Sequence, residues 1–455
     1  MTGVTMYDRP TVAIIGAAST TFGPKVLRDI LNHPQIGGST LRFVDINEER
    51  LAIYDKLAQK LNDYLEVPIQ IVSTTDRREV LSGSDYVIIT VDTGHYRTWQ
   101  QDFSVPVRYG SRQILGELGG PGGLFHSLRQ IPLHLEIARD ISELCPDAMV
   151  MVTSNPLNRI CLALERYADL GQILGLCHGV EMALYLFLNR VMGIDGDDME
   201  VTAAGTNHLT WILDLRRKDT GEDLLPLMKE RLSRIDDDEQ ALSRKLLEVY
   251  GYFPGTLDSH AGEYISFAWE FYGVKGIDFS GHRTQEANRW QYLRDLANND
   301  AEWDKFEQAY GDQSALSAEL RLDPFFAPRS WADTLAFPII AAATTNEFHR
   351  LPAVNMVNTG QINNLPRGVF VEAPAVVDGG GIYPVSMGDL PQPLAAFNRR
   401  DIDQAELIVE AAVHGDRNLV LQAALMDPVV ESVTQVEAMV DEMLRLNADY
   451  LPQFA

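Results

Sequence analysis

The stretch TVAIIGAASTTFGPKVLRDIL, residues 11–31, decides the fold. A β-branched run, Thr11 to Ile15, stops at Gly16; small residues follow, and an amphipathic stretch runs from Gly23 to Leu31. Strand, small-residue turn and helix in that order open a parallel α/β sheet. Such a turn lets backbone N–H groups and the helix N-terminus approach a pyrophosphate. Asp45, near the end of the next run LRFVDI (41–46), stands where a carboxylate accepts hydrogen bonds from an adenosine ribose. The turn departs from G-x-G-x-x-G: Gly16 is followed by Ala17, Ala18 and Ser19, with Phe22 beyond. Taken alone, it also reads as a tight turn with no ligand.

The alternation continues outward. IQIVSTT, DYVIITVD, AMVMVTSNP and ILGLCHG (173–179) read as strands, and ERLAIYDKLAQKLNDYL and a segment near 126–144 as helices. Residues 1–200 are therefore expected to form a Rossmann-type doubly wound parallel sheet, resembling that of lactate and malate dehydrogenases. After about residue 200 the pattern changes. VTAAGTNHLTWILDLR suggests strands that need not be parallel, followed by long helices in ALSRKLLEVYGYF and EANRWQYLRDLANNDAEWDKFEQAYG. A helical set from about 401 to 449 closes the chain. Residues 201–455 read as a mixed α+β substrate and oligomerisation domain folded onto the first, since neither a low-complexity linker nor a 20–50-residue repeat is evident.

Composition narrows the function. The chain has 455 residues, 45% of them apolar and 22% charged, which suits a soluble globular protein of two or three domains. A formal net charge of −26 argues against a nucleic-acid binder and against docking on anionic membranes. Neither a membrane-length apolar run nor a signal-peptide pattern is visible, and three cysteines make no disulfide framework. A cytoplasmic location is expected.

Chemistry-bearing residues fall just beyond strands, the usual place for function in an open α/β sheet. Cys177 in LCHG and His208 in GTNHLTW could ligate a divalent metal and leave positions open for substrate. On spacing alone, a buried cysteine and a surface histidine remain the stronger reading. SRQILGELGGPGGLFHSLR (111–129) packs five glycines, a proline and Glu117 before a helix, and such a loop is costly to order. DSHAGEYISF places His260, Glu263 and Tyr264 near one another. A tyrosine is a general base when a cation lowers its pKa; otherwise it is a packing residue.

Taken together, AIIGAAS–TF, VDI, DYVIITV, LGELGGPGG, SNPL, GLCHGV, G-NH, HAGEY and NTGQINNLPRGVFVEAPAVVD resemble the family 4 glycoside hydrolases, the NAD-dependent glycosidases. The resemblance runs in register from about residue 11 to about 430. It implies that NAD⁺ takes a hydride from C3 of the sugar, a base removes the C2 proton, the C1 substituent is eliminated, water adds, and the hydride returns. It further implies Cys177 and His208 as metal ligands, manganese as the usual metal, Tyr264 as the C2 base, and Asn155 between nicotinamide and sugar. His178, after the metal cysteine, occupies the position that varies with substrate class, and here resembles α-glycosidases of unphosphorylated galactosides, glucosides or hexuronides. His260 joins the substrate set, and Arg283 and Arg329 are candidates to grip a uronate carboxylate.

Two departures stand out: Ala18 replaces a glycine, which should crowd a phosphate, and Glu117-Leu118 replaces Asp-Thr, which puts the role of Glu117 in question. A 6-phospho-α-glycosidase, a malate/lactate-type dehydrogenase and an inactive sugar or dinucleotide sensor remain as rivals. Homologous enzymes assemble as dimers or tetramers, and a homodimer or homotetramer is expected.

Overall fold

The structure is a computed structural model describing residues 9–63, 67–272, 277–301, 303–304 and 335–455. Thr11–Ile15 forms β1. It pairs in parallel with β2 (Thr40–Val44) on one side and β4 (Tyr86–Ile89) on the other. β3 (Gln70–Thr74), β5 (Met149–Val152) and β6 (Gln172–Gly175) complete a parallel array ordered 3-2-1-4-5-6. The order reverses between β1 and β4, so the crevice beyond their carboxyl ends is where a ligand fits.

Alternate residues of β1 feed two different cores, as period two requires. Val12 and Ile14 pack with Leu27, Tyr54 and Leu57, carried by helices Gly23–Asn32 and Glu48–Asn62. Ala13 and Ile15 pack with Ile137, Ile141 and Ile160, from helices Gly120–Leu144 and Leu157–Tyr167 on the other face. A strand covered on both faces has no polar side to show, hence its β-branched sequence. Fully burying each such side chain contributes about 1.5–3 kcal/mol.

The sheet does not stop at residue 200. β7 (Met199–Thr206) and β8 (Leu209–Arg217) form an antiparallel hairpin, and β9 (Phe253–Pro254) pairs with β8. β10 (His349–Val357) runs antiparallel to β6 and carries β11 (Phe370–Asp378), which in turn joins β7 and β12 (Gly381–Pro384). One sheet thus runs through both halves of the described chain. Helices Gln392–His414, Arg417–Met426 and Val433–Leu446 pack Ile408, Val409, Val440 and Met443 against Leu124, Phe125 and Leu128.

One local expectation changes. The glycine-rich segment is not all loop: the helix starts at Gly120, with Pro121 in its first turn. Its glycines answer to crowding. A Cβ on Gly122 would lie 2.5 Å from the Gly116 carbonyl oxygen, and one on Gly123 would lie 2.2 Å from that of Leu118. The helix expected around 286–311 is observed as Phe279–Asn298; residues 305–311 lie outside the described set. Among the described residues no helix is long and apolar enough to cross a membrane.

Candidate active site

The turn after β1 is built from backbone. Gly16 has φ +89°, and a Cβ there would come within 2.2 Å of the Thr90 carbonyl oxygen, so only glycine lets the turn close on β4. Its N–H and that of Ala17 donate to the Val44 oxygen at 2.8 and 3.1 Å. Ser19 Oγ accepts from Phe22 N at 3.1 Å, ahead of the helix that starts at Gly23. Tyr54 Oη donates to the Ser19 carbonyl at 2.7 Å. Asp45 Oδ2 accepts from Ala18 N at 3.1 Å and Oδ1 from Asn47 N at 2.9 Å. Each carboxylate oxygen keeps further acceptor capacity.

A cleft of about 630 Å³ opens here, lined by Gly16, Ala18, Ser19, Phe22 and Asp45 at one end and by Glu117 and Asn155 at the other. Ala17, 5% exposed, packs in the core and is not among the lining residues. Ala18 is only 1% exposed and packs in the same core while also lining the cleft.

The cleft contains a group the sequence did not flag. Asp92 Oδ1 meets His126 Nε2 at 3.3 Å and Oδ2 meets His95 Nδ1 at 3.2 Å; Gln130 Nε2 also donates to Oδ1. Against the cost of burial, the two imidazoles hold the Asp92 carboxyl well below its ordinary range. Burial works against a charged His126, but Asp92 outweighs it and the imidazole pKa is raised. Nothing in the local pattern of GLFHSLR distinguishes His126 from its helical neighbours; only the packing brings it to Asp92. Asn155, joined to Pro156 by a cis peptide bond, donates from Nδ2 to Glu117 Oε1 at 3.3 Å.

Beyond Glu117 lies a second cluster. Cys177 follows the end of β6 by two residues, and His208 sits in the turn between β7 and β8 with φ +62°. That conformation is uncommon for a non-glycine residue and costs on the order of 1 kcal/mol. It brings His208 Nε2 to 3.1 Å from Cys177 Sγ. The His208 ring stacks obliquely on His260, with centroids 4.5 Å apart. Burial, then the charges of His260 and His178, lowers His208 well below the ordinary histidine value, which keeps it neutral as a metal ligand must be. Burial, then the Glu372 charge, pushes the Cys177 thiol up. Nδ1 of both His208 and His260 is buried without a hydrogen-bond partner among the described residues. Burial lowers His260 while Glu117 pulls it up, which ties this cluster to the cleft.

Among the described residues no group of three or more His, Cys, Asp or Glu side chains could hold a metal. Any ion here would rest on two protein donors. A thiolate and an imidazole 3.1 Å apart could both reach one divalent ion and leave its other positions to substrate.

Tyr264 closes the short turn Gly262–Tyr264 and is 9% exposed. Burial, then the charge of Asp401, pushes its hydroxyl well above the ordinary tyrosine value. Arg400 donates to its carbonyl oxygen. His178 is half-buried and precedes the helical turn Gly179–Met182. Arg283 is exposed, reaches Gln100 Oε1 at 3.1 Å, and is not among the residues that line the cleft. Arg329 lies outside the described residues.

Comparison with known proteins bears on this arrangement. Residues 11–192 match the sequence model described as family 4 glycosyl hydrolase, and residues 203–430 the one described as family 4 glycosyl hydrolase C-terminal domain. An alpha-galactosidase of Bacillus subtilis is 30% identical, with 97% of this chain and 99% of that one covered. An alpha-glucosidase of Erwinia rhapontici is 29% identical over 97% and 98%. The fold matches the crystal structure of a 6-phospho-alpha-glucosidase from gut microorganisms in complex with NAD and Mn2+, with TM-score 0.80 and 20% identity over 98% and 100% of the two chains.

Proposed function

The chain belongs to family 4 of the glycosyl hydrolases, and we propose that it is an exo-acting α-glycosidase of unphosphorylated galactosides, galacturonides or glucosides that uses NAD and a divalent metal, manganese foremost. The observation that carries this reading is the Cys177–His208 pair at 3.1 Å, linked through His260 and Glu117 to the cleft behind Gly16. A cradle with no room for a Cβ at Gly16 and an acceptor at Asp45 suit a dinucleotide. The adjacent thiol and imidazole of Cys177 and His208, the latter kept neutral by burial, suit a divalent ion. The solved relative that holds NAD and Mn2+ supports both.

When bound, the two groups supply hydride acceptance at C3 and charge stabilisation at the C2 and C3 oxygens. This chain's residues do the rest. Gly16, Ala18, Ser19 and Asp45 seat the dinucleotide, and Asn155 orients the sugar at the cleft mouth. Cys177 and His208 hold the ion, with His178 and His260 on the substrate side. Tyr264 Oη takes the C2 proton. Burial alone would make it a poor base, so it works only with positive charge close by. Glu117, held by Asn155 Nδ2, is the carboxylate at the junction, and we assign it the proton transfer at the leaving group.

Substrate class rests on His178 and is supported by the alpha-galactosidase and alpha-glucosidase relatives. The test is a panel of aryl α-galactoside, α-glucoside and α-galacturonide, with the 6-phosphates of the first two, assayed with NAD⁺, Mn²⁺ and a reducing agent. Release of the aryl group from an unphosphorylated member is the expected result. Release from a 6-phosphate alone would overturn the substrate class, and NADH accumulating without cleavage would turn the reading to a dehydrogenase.

A further inference from the structure

Glu263 has no part in the chemistry above, yet it is 2% exposed and one residue from Tyr264. Its Oε2 accepts from three successive backbone N–H groups: Glu117 at 2.9 Å, Leu118 at 3.0 Å and Gly119 at 3.2 Å. Those groups lead into the N-terminus of the 25-residue helix Gly120–Leu144, whose dipole favours an acceptor there. The approach is close on the backbone side too. A Cβ on Gly119 would lie 2.3 Å from the Glu263 carbonyl oxygen. Leu118 and Tyr264 share one apolar cluster with Ile114 and Ile265, which seals the contact from water.

We propose that Glu263 is a positioning residue: by gripping the 117–119 backbone it fixes Tyr264 Oη and the Glu117 carboxylate in one frame around the sugar. This deepens the proposed reaction and rests on it. Three amides converging on one oxygen set both distance and angle, and a hydrophobic contact alone would not. The segment carrying the base comes from the second half of the chain and the segment carrying Glu117 from the first. A misplacement of about 1 Å at the reacting atoms costs on the order of 100-fold in rate. Burial, then the Glu117 charge, pushes Glu263 up to about 8, opposed by those amides. The grip does not depend on ionisation, because the carbonyl oxygen of a neutral carboxyl also accepts.

The decisive comparison is Glu263→Met, which keeps the length and removes the acceptor, against Glu263→Gln, which keeps a carbonyl oxygen in its place. Glu263→Met should lose on the order of 100-fold in kcat with its dinucleotide affinity unchanged. Its isotope effect on a 2-deuterated glycoside should rise while that on the 3-deuterated one does not. Glu263→Gln should recover kcat to within several-fold. If Glu263→Met fails to fold, Glu263→Asp, which draws the oxygen back by one methylene, carries the same isotope comparison. A loss of kcat with both isotope effects unchanged, or a Gln variant as impaired as Met, would overturn the proposal. Wild-type turnover in D₂O is the separate control. Solvent deuterium at C2 of the product supports the base chemistry, and its absence removes that chemistry and the positioning role together.

Discussion

The two ends of the site are made differently. The end proposed for the dinucleotide comes from short consecutive segments, Gly16 to Phe22 and then Asp45 to Asn47, whose backbone N–H groups meet backbone, Ser19 and Asp45 acceptors. The thiol–imidazole end is all side chain, assembled from three connections that carry Cys177, His208, and His260 with Tyr264. Backbone geometry is fixed by strand pairing, so the first end stands ready on its own. The second end holds a raised thiol, a neutral imidazole and a raised phenol, which a divalent charge would bring to work together.

That contrast can be broken by substitution. Tyr264→Phe removes the base and should cut turnover on the order of 10³-fold, while fluorescence titration shows unchanged dinucleotide affinity. Cys177→Ser should weaken Mn²⁺ binding by more than about 100-fold, read by electron paramagnetic resonance, again with the dinucleotide end intact. Gly16→Ala attacks the other end. With φ +89° and a Cβ 2.2 Å from Thr90 oxygen, it should destabilise the fold by about 1–3 kcal/mol and abolish dinucleotide binding, leaving Mn²⁺ affinity in place. Asp45→Ala should raise the dinucleotide dissociation constant on the order of tenfold, with no change in melting temperature beyond a few degrees.

The smallest effect concerns pH. His126 is raised in the fold, so its contribution to stability is complete below about pH 6.5 and is lost as pH rises through the raised value. Asp92 is lowered, so its contribution is present above about pH 3.9 and is lost as pH falls through the lowered value. Asp92→Asn should therefore flatten the fall in melting temperature above pH 6.5, measured as the difference from wild type.

How much was legible follows the same division. The β1 turn, Asp45 and the parallel order of the first half could be read because local sequence sets them: β-branched runs buried on both faces, and glycine where φ is positive. The pairing of Cys177 with His208 depends on β6 and the β7–β8 hairpin being brought together through β10 and β11, which no spacing encodes. Their place just beyond strands suggested the two residues, and family resemblance made them a pair. The Asp92–His126 contact joins segments whose patterns look ordinary, and the Glu263 grip joins two that drew notice separately, but neither contact was legible, since only packing brings the segments together. The glycines of 119–123 drew notice as a costly loop, and part of that segment is a helix start. Their lack of a Cβ permits the close packing seen there.

The most direct test of the account strips the purified protein of metal and dinucleotide, then restores NAD⁺ and Mn²⁺ singly and together while following hydrolysis of an aryl α-glycoside. Hydrolysis only when both are present, with no net NADH formed, is the result this account requires. Hydrolysis that persists without either one would contradict it.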